Sequence, residues 1–295
     1  MKAMNSSAEV SFSVSNNLFI NTLHIRKPAS GFFILYMKLY RSATLVTLIT
    51  LTTLIGCKRT TYTYPDSPVA NYYMPLAVGK YAIYQLDSLT FYYYGQKDTV
   101  THYLAKDTVE SPIVDNIGRP GWRVVRYLND ISGAGAWYPT MVLWVTPTRT
   151  SLEVSENNLR YVKLAFPTDQ GYSWSGNSYL PYDPYQDFFD YSDDSHLSLG
   201  NWTYSYDSVD KPYKIGNMTY DSTLTVVQAN DSINVPITDI KSFASKTYWV
   251  ESYAKHIGLV YRRTAMWEYQ PPTPTGSRAG YKIGFEVTLT LLSHN

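Results

Sequence analysis

Cysteine occurs once in the 295 residues, so the chain can form no internal disulfide and its fold has to stand on its packed core. Charge of one sign is also lacking, since 25 Lys and Arg face 24 Asp and Glu. A nucleic-acid surface would be strongly basic, so no nucleic-acid partner is expected. No apolar run reaches the roughly 20 residues that a membrane-spanning helix needs. A helical period never persists beyond a turn or two, and strand patterns do not alternate with helical ones. A nucleotide-binding α/β fold is therefore not expected, and no Gly-rich loop is present to cradle a phosphate.

Tyrosine is what the chain has in excess. There are 29, of which 27 follow residue 56, together with all seven Trp. Aromatic residues favour strands, and Tyr can bury its ring while its hydroxyl stays wet. Two readings are open: a glycan-binding surface with stacking platforms, or a β protein with tyrosines on wet faces. Their spread through every segment favours the second.

From Tyr73 onward the pattern has mostly period two, the mark of strands with one buried face. The last segment shows it best. Tyr281, Ile283, Phe285, Val287, Leu289 and Leu291 form one face, and Lys282, Gly284, Glu286, Thr288 and Thr290 the other. Trp202, Tyr204 and Tyr206 alternate with Thr203, Ser205 and Asp207, and Val162, Leu164 and Phe166 with Tyr161, Lys163 and Ala165. Further strands are expected over 80–88, 89–95, 99–108, 121–128, 137–146, 150–155, 219–229, 246–254 and 258–269. Turn residues such as Gly95-Gln96, Asn157-Asn158 and Gly216-Asn217 separate many of them. The expected fold class is all-β: an antiparallel, strongly curved sheet, or an open or closed barrel, of roughly a dozen strands. Residues 180–199, with five Asp, and the Pro-rich 270–278 read as surface loops. Pro75, three residues, Gly79 and Tyr81 are echoed by Pro167, three residues, Gly171, Tyr172 and Trp174. The echo marks two related halves or a coincidence of turn chemistry.

The lone cysteine is Cys57, preceded by Leu54-Ile55-Gly56. Upstream lie a basic stub, Met37-Lys38-Leu39-Tyr40-Arg41, and an uncharged run from Ser42 to Ile55. This layout resembles the lipobox of the bacterial lipoprotein signal peptide. The resemblance implies cleavage between Gly56 and Cys57, a diacylglyceryl group on the Cys57 thiol, and palmitate-type acylation of the new amino group. One chain anchors marginally, two or three durably. The domain organisation expected is an over-extended start over 1–36, a signal peptide over 37–56, a lipid-anchored tether over 57–72 and a single β domain over 73–295. Residues 73–81, 171–177 and 253–261 (Tyr253-Ala254-Lys255-His256-Ile257-Gly258-Leu259-Val260-Tyr261) are similar to segments of uncharacterised outer-membrane lipoproteins of the Bacteroidota. That resemblance implies an all-β envelope protein attached to the outer membrane, and it implies no activity. Lys58-Arg59 follow the cysteine where surface-exported relatives often carry acidic residues, which points to the periplasmic face.

Residues for catalysis are sparse. Downstream of Cys57 there are four histidines, at 102, 196, 256 and 294, and none has a nameable partner in the sequence. Gly171-Tyr172-Ser173-Trp174-Ser175-Gly176 misses nucleophile-elbow spacing by one residue. No paired-His motif is present for zinc, and the aspartates over 183–194 lack the alternation and Gly turn of a calcium loop. No metal, cofactor or catalytic residue is therefore expected. The leading functional expectation is a non-enzymatic envelope lipoprotein whose curved sheet holds an apolar or amphipathic, lipid-like ligand or docks a partner. The alternative is a glycan-binding module using Trp137, Trp144 or Tyr92-Tyr93-Tyr94, with a glycosidase third.

Overall fold

A computed structural model describes residues 68–194 and 196–295. The expected signal peptide, Gly56, Cys57 and most of the tether lie outside the described residues. A short helix, α1 (Pro68–Tyr73), comes first. Twelve strands follow: β1 (Tyr81–Tyr92), β2 (Lys97–Val114), β3 (Pro120–Asp130), β4 (Tyr138–Pro147), β5 (Ser151–Glu156), β6 (Leu159–Ala165), β7 (Ser173–Ser175), β8 (Thr203–Ile215), β9 (Met218–Ile233), β10 (Ala244–Ala254), β11 (Gly258–Gln270) and β12 (Tyr281–His294). The all-β expectation holds, including the strand count. The stretches 80–88 and 89–95 are one strand, β1, because the chain turns at Tyr93–Gln96 and not near Leu89. At the start of the domain, Pro68–Tyr73 is helical and buries Ala70 and Tyr73, so the packed unit begins within the stretch expected to be tether.

All twelve strands form one antiparallel sheet in the order β6-β5-β4-β3-β2-β1-β12-β11-β10-β9-β8-β7. The sheet curls until its two outer strands meet. At this seam Val162 N donates to Gly176 O at 2.8 Å, and the Trp174 indole donates to Val162 O at 2.8 Å. The barrel-like sheet is nearly closed, which shields two strand edges that would otherwise invite pairing.

Each half of the chain, β1–β6 and β7–β12, is a six-stranded meander, and the sequence echo falls just before the first strand of each. The echo has one hydrogen-bond pattern. Gly79 N donates to Val109 O on β2 (2.9 Å), Val109 N to Lys80 O (2.8 Å), and Lys80 N to Ala77 O (3.0 Å). In the second half Gly171 N donates to Tyr206 O on β8 (2.8 Å), Tyr206 N to Tyr172 O (3.1 Å), and Tyr172 N to Asp169 O (2.9 Å). Both glycines are left-handed, at φ 87° and 83°, a backbone region that suits glycine alone without cost. The two halves are thus entered through the same turn, clipped to the second strand of each.

Tyrosines fill much of the interior. Tyr84, Tyr204, Tyr206 and Tyr253 are buried, and their hydroxyls donate to Leu259 O, Asn177 Oδ1, Ala165 O and Glu251 Oε2. These hydroxyls are not wet, as the sequence pattern suggested, but satisfied inside the protein. Burial pushes the pKa of each upward.

The segment between β7 and β8 departs most from expectation. It is a plug, not a surface loop. Leu180, Tyr185 and Tyr191 pack against Tyr161, Leu199, Trp249 and Met266 inside the barrel. Buried Glu268 on β11 accepts hydrogen bonds from the backbone N–H of Ser192 (2.9 Å) and Asp193 (3.2 Å) and from the Ser192 hydroxyl (3.0 Å). Three of its rings explain the difference: Tyr185, Phe189 and Tyr191 are half-buried where a purely polar loop could not be, while Tyr182 and Phe188 stay exposed. Among the described residues no helix is long and apolar enough to cross a membrane.

A side chain on Gly176 would run into the ring of buried Tyr204, whose hydroxyl anchors Asn177. Gly176→Ala is expected to destabilise the fold by about 1–3 kcal/mol, the usual range for overpacking. The midpoint of urea unfolding measures it, and an unchanged midpoint would show that the seam yields freely.

Candidate functional site: an ionic floor beneath a small cavity

Besides Glu268, which holds the plug, six charged side chains from six strands gather in the interior. Arg262 on β11 makes a paired contact with Glu156 at the end of β5, Nη1–Oε2 3.0 Å and Nη2–Oε1 2.9 Å. In the sheet order these strands stand six places apart among twelve, so the contact crosses the interior. Arg262 Nε also lies 2.8 Å from Glu251 Oε1 on β10, off the N–H axis, and acts there as a charge contact. Lys163 on β6 donates to Glu251 at 2.7 Å and lies 3.9 Å from Glu156. Nearby, Arg126 on β3 grips Asp107 on β2 with two bonds of 2.7 Å. Three cations and three carboxylates balance.

The sheet register explains why Glu156 and Arg262 meet. From Val109, cross-strand pairs step through Val124 and Leu143 to Glu156. From its counterpart Tyr206 they step through Val226 and Glu251 to Arg262. Glu156 and Arg262 therefore hold the same place in the two halves, one with each sign of charge.

Burial alone would raise the Glu156 carboxyl, but the charges of Arg262 and Lys163 overcome this and hold its pKa at about 2. Glu251 is pulled below the usual carboxylate range against the same burial penalty, by the same two cations. Arg262 is raised in turn, its desolvation outweighed by Glu156 and Glu251.

Above this floor lies a cavity of about 70 Å³. Its walls include Val109, Val124, Leu152, Val154 and Leu259, and its deep side reaches Asp107, Arg126, Glu156 and Arg262. The strap joining α1 to β1 supplies the rim through Met74, Pro75, Leu76 and Lys80. The space suits a few waters or one compact ligand with an apolar body.

The residues singled out in the sequence do not gather here. Tyr92, Tyr93 and Tyr94 stand at the β1–β2 turn, with Tyr94 90% exposed. The Tyr93 and Tyr94 rings lie 6.2 Å apart and are tilted by 59°, so they present no flat platform. Trp144 is exposed on β4, and Trp137 is half-buried just before that strand. Ser173 and Ser175 belong to strand β7. His102 pairs with Asp87 (2.6 Å) at the surface. His196 sits in the plug, with Nδ1 2.7 Å from Asp193 O and Nε2 3.5 Å from Asp183. His256 occupies a left-handed turn against Tyr72. Among the described residues no group of three or more His, Cys, Asp or Glu is placed to hold a metal ion.

Strand alternation does not reveal the ionic floor. It places Lys163 on the polar face of its strand, yet Lys163 is buried because β6 is covered on both sides. A signal exists nonetheless: Arg262 shares its face with buried Met266, and Glu251 with buried Trp249 and Tyr253. Charges in line with large buried side chains have to find partners inside.

No protein-family model matches the chain, and no characterised protein sequence matches it either.

Because the folded Glu156 carboxyl lies below its ordinary value of 4.5, its contribution is present above that pH and is lost as pH falls toward about 2. The melting temperature is expected to drop across that window. Glu156→Gln removes part of the acid dependence and costs about 3–5 kcal/mol at neutral pH, since it leaves Arg262 and Lys163 undercompensated. Thermal unfolding of both proteins between pH 7 and pH 2 checks this, and parallel pH profiles would refute it.

Proposed function

We propose that the chain is a lipid-anchored protein of the bacterial outer membrane that binds a small amphipathic ligand and does not transform it. The observation that carries the binding reading is the cavity, with apolar walls, an ionic floor and a rim formed by a strap. The compartment rests on a different observation, the basic stub, uncharged run and Leu54-Ile55-Gly56-Cys57 of the sequence. Lys58-Arg59 favour the periplasmic face.

The site's charge pairing supports binding over catalysis. General acid–base chemistry needs a group free to exchange a proton with substrate. The carboxylates along the cavity, Asp107 and Glu156, are already engaged by Arg126 and Arg262. The 59° tilt of the exposed Tyr93 and Tyr94 rings weighs against the glycan alternative, which asks for stacking platforms. The interior also departs from the open apolar trough expected of a carrier, since tyrosines, ion pairs and the plug occupy most of it. A compact ligand fits this reading, and a long acyl chain would have to displace the strap.

Intact mass spectrometry of the membrane-extracted protein tests the anchor, and a titration in solution tests the binding. Under denaturing conditions the chain is expected to begin at an acylated Cys57, and Cys57→Ala should leave the membrane fraction. An unmodified Cys57 would end the anchor reading. In solution, 1-hexanol is expected to shift the amide resonances of Val109, Val154 and Leu259, and Val109→Phe, which fills the mouth, should weaken binding by about tenfold or more. No shift with hexanol or any related short amphiphile would end the binding reading.

A further inference from the structure

We infer that the ligand of this cavity is a compact anionic amphiphile, such as a short-chain carboxylate, held by Lys80 at the rim; this rests on the binding reading above. The cavity wall includes three cations, Lys80, Arg126 and Arg262, and two carboxylates, Asp107 and Glu156. Four of these five are spent on one another. Arg126 is bound through two nitrogens to Asp107, and Arg262 through two to Glu156 with a third contact to Glu251. Among the described residues Lys80 has no carboxylate within ion-pair distance, so it is the charged side chain of the lining that no other side chain neutralises.

Its position is fixed by the turn that opens the first half of the barrel. Lys80 N donates to Ala77 O at 3.0 Å, and Lys80 O accepts from Val109 N at 2.8 Å. The backbone under the ammonium is therefore held on both sides, next to Val109, which is itself part of the cavity wall. The corresponding place in the second half is Tyr172, which brings no charge, so this feature belongs to the cavity and not to the shared turn.

The wall sets the length of the ligand. Behind Lys80 one apolar layer, with Val109 paired to Val124, separates the rim from Asp107 and Arg126 two residues further in. A tail of a few carbons crosses that layer. A longer one reaches ion pairs, where an apolar group gains nothing by burial. The carboxylate of such a ligand lies at the rim beside Lys80, partly screened by water, while its tail covers Val109, Leu152 and Val154.

Titration of the full chain with hexanoate, 1-hexanol and hexylamine, followed by amide chemical shifts at neutral pH, separates the possibilities. Hexanoate is expected to bind about tenfold tighter than hexanol, with hexylamine the weakest. Lys80→Gln should reduce the advantage of hexanoate over hexanol to about twofold or less, and Lys80→Arg should keep it. Raised salt should erode the same advantage. Equal binding of hexanoate and hexanol, or a preference that survives Lys80→Gln, would overturn the anionic assignment and leave the amphipathic reading standing. Failure of all three to bind would remove that reading and this inference together.

Discussion

The contact between Arg262 and Glu156 is the constraint on which the interior depends. Eight strands close around a space that side chains just fill, and the diameter grows with strand number. Twelve strands enclose more than ordinary packing covers. Here two opposite walls reach across to each other with a guanidinium and a carboxylate, the two longest charged groups suited to a planar paired contact. Lys163 and Glu251 extend the bridge, and buried tyrosines take up the space around it. Cations have to be matched to anions inside, so the identity of one residue in this set limits every other.

Such a network stabilises less than its contacts suggest. Desolvation offsets most of the Coulomb gain, while loss of one partner strands a charge and costs several kcal/mol. Its larger effect is on specificity. A slip of one residue in β11 would turn Arg262 outward and leave Glu156 and Glu251 buried together. Wrong registers are thus penalised more than the right one is rewarded. The register is set from the start of each half, because the equivalent turns at Gly79 and Gly171 clip each half to its second strand. From these turns the same number of cross-strand steps arrives at Glu156 and at Arg262, so local turn chemistry and the long-range ion pair specify one register between them.

Much of the scaffold is legible in the sequence because a strand with one wet face writes its period plainly. β12, with Leu289 and Leu291 buried and Val287 and Phe285 against the core, reads directly from its alternation. The echo around Gly79 and Gly171 is also visible, although only the hydrogen bonds distinguish a repeated turn from coincidence. The site is not legible in the same way. Lys163 sits where alternation assigns solvent, since both faces of β6 are covered. Arg262 and Glu156 are 106 residues apart, and no local pattern relates them. The plug misleads for a physical reason: five aspartates mark a solvated loop, but Tyr185, Phe189 and Tyr191 among them turn inward while Asp187, Asp190 and Asp194 stay at the surface.

The plug and the strap also explain why the cavity lies where it does. Tyr185 and Tyr191 fill the barrel from the side of the β7–β8 connection, against Trp249 and Met266, and Glu268 secures them by accepting backbone N–H groups of Ser192 and Asp193. At the opposite ends of the same strands the covering is lighter. Among the described residues α1 and the strap through Met74, Pro75 and Leu76, with Ile257 and Asn295, border Val109, Leu152 and Leu259. The barrel is thus packed from one side up to its ionic floor and left incompletely packed above it. The charges of that floor are matched among themselves, whereas Lys80 at the rim has no carboxylate within ion-pair distance among the described residues.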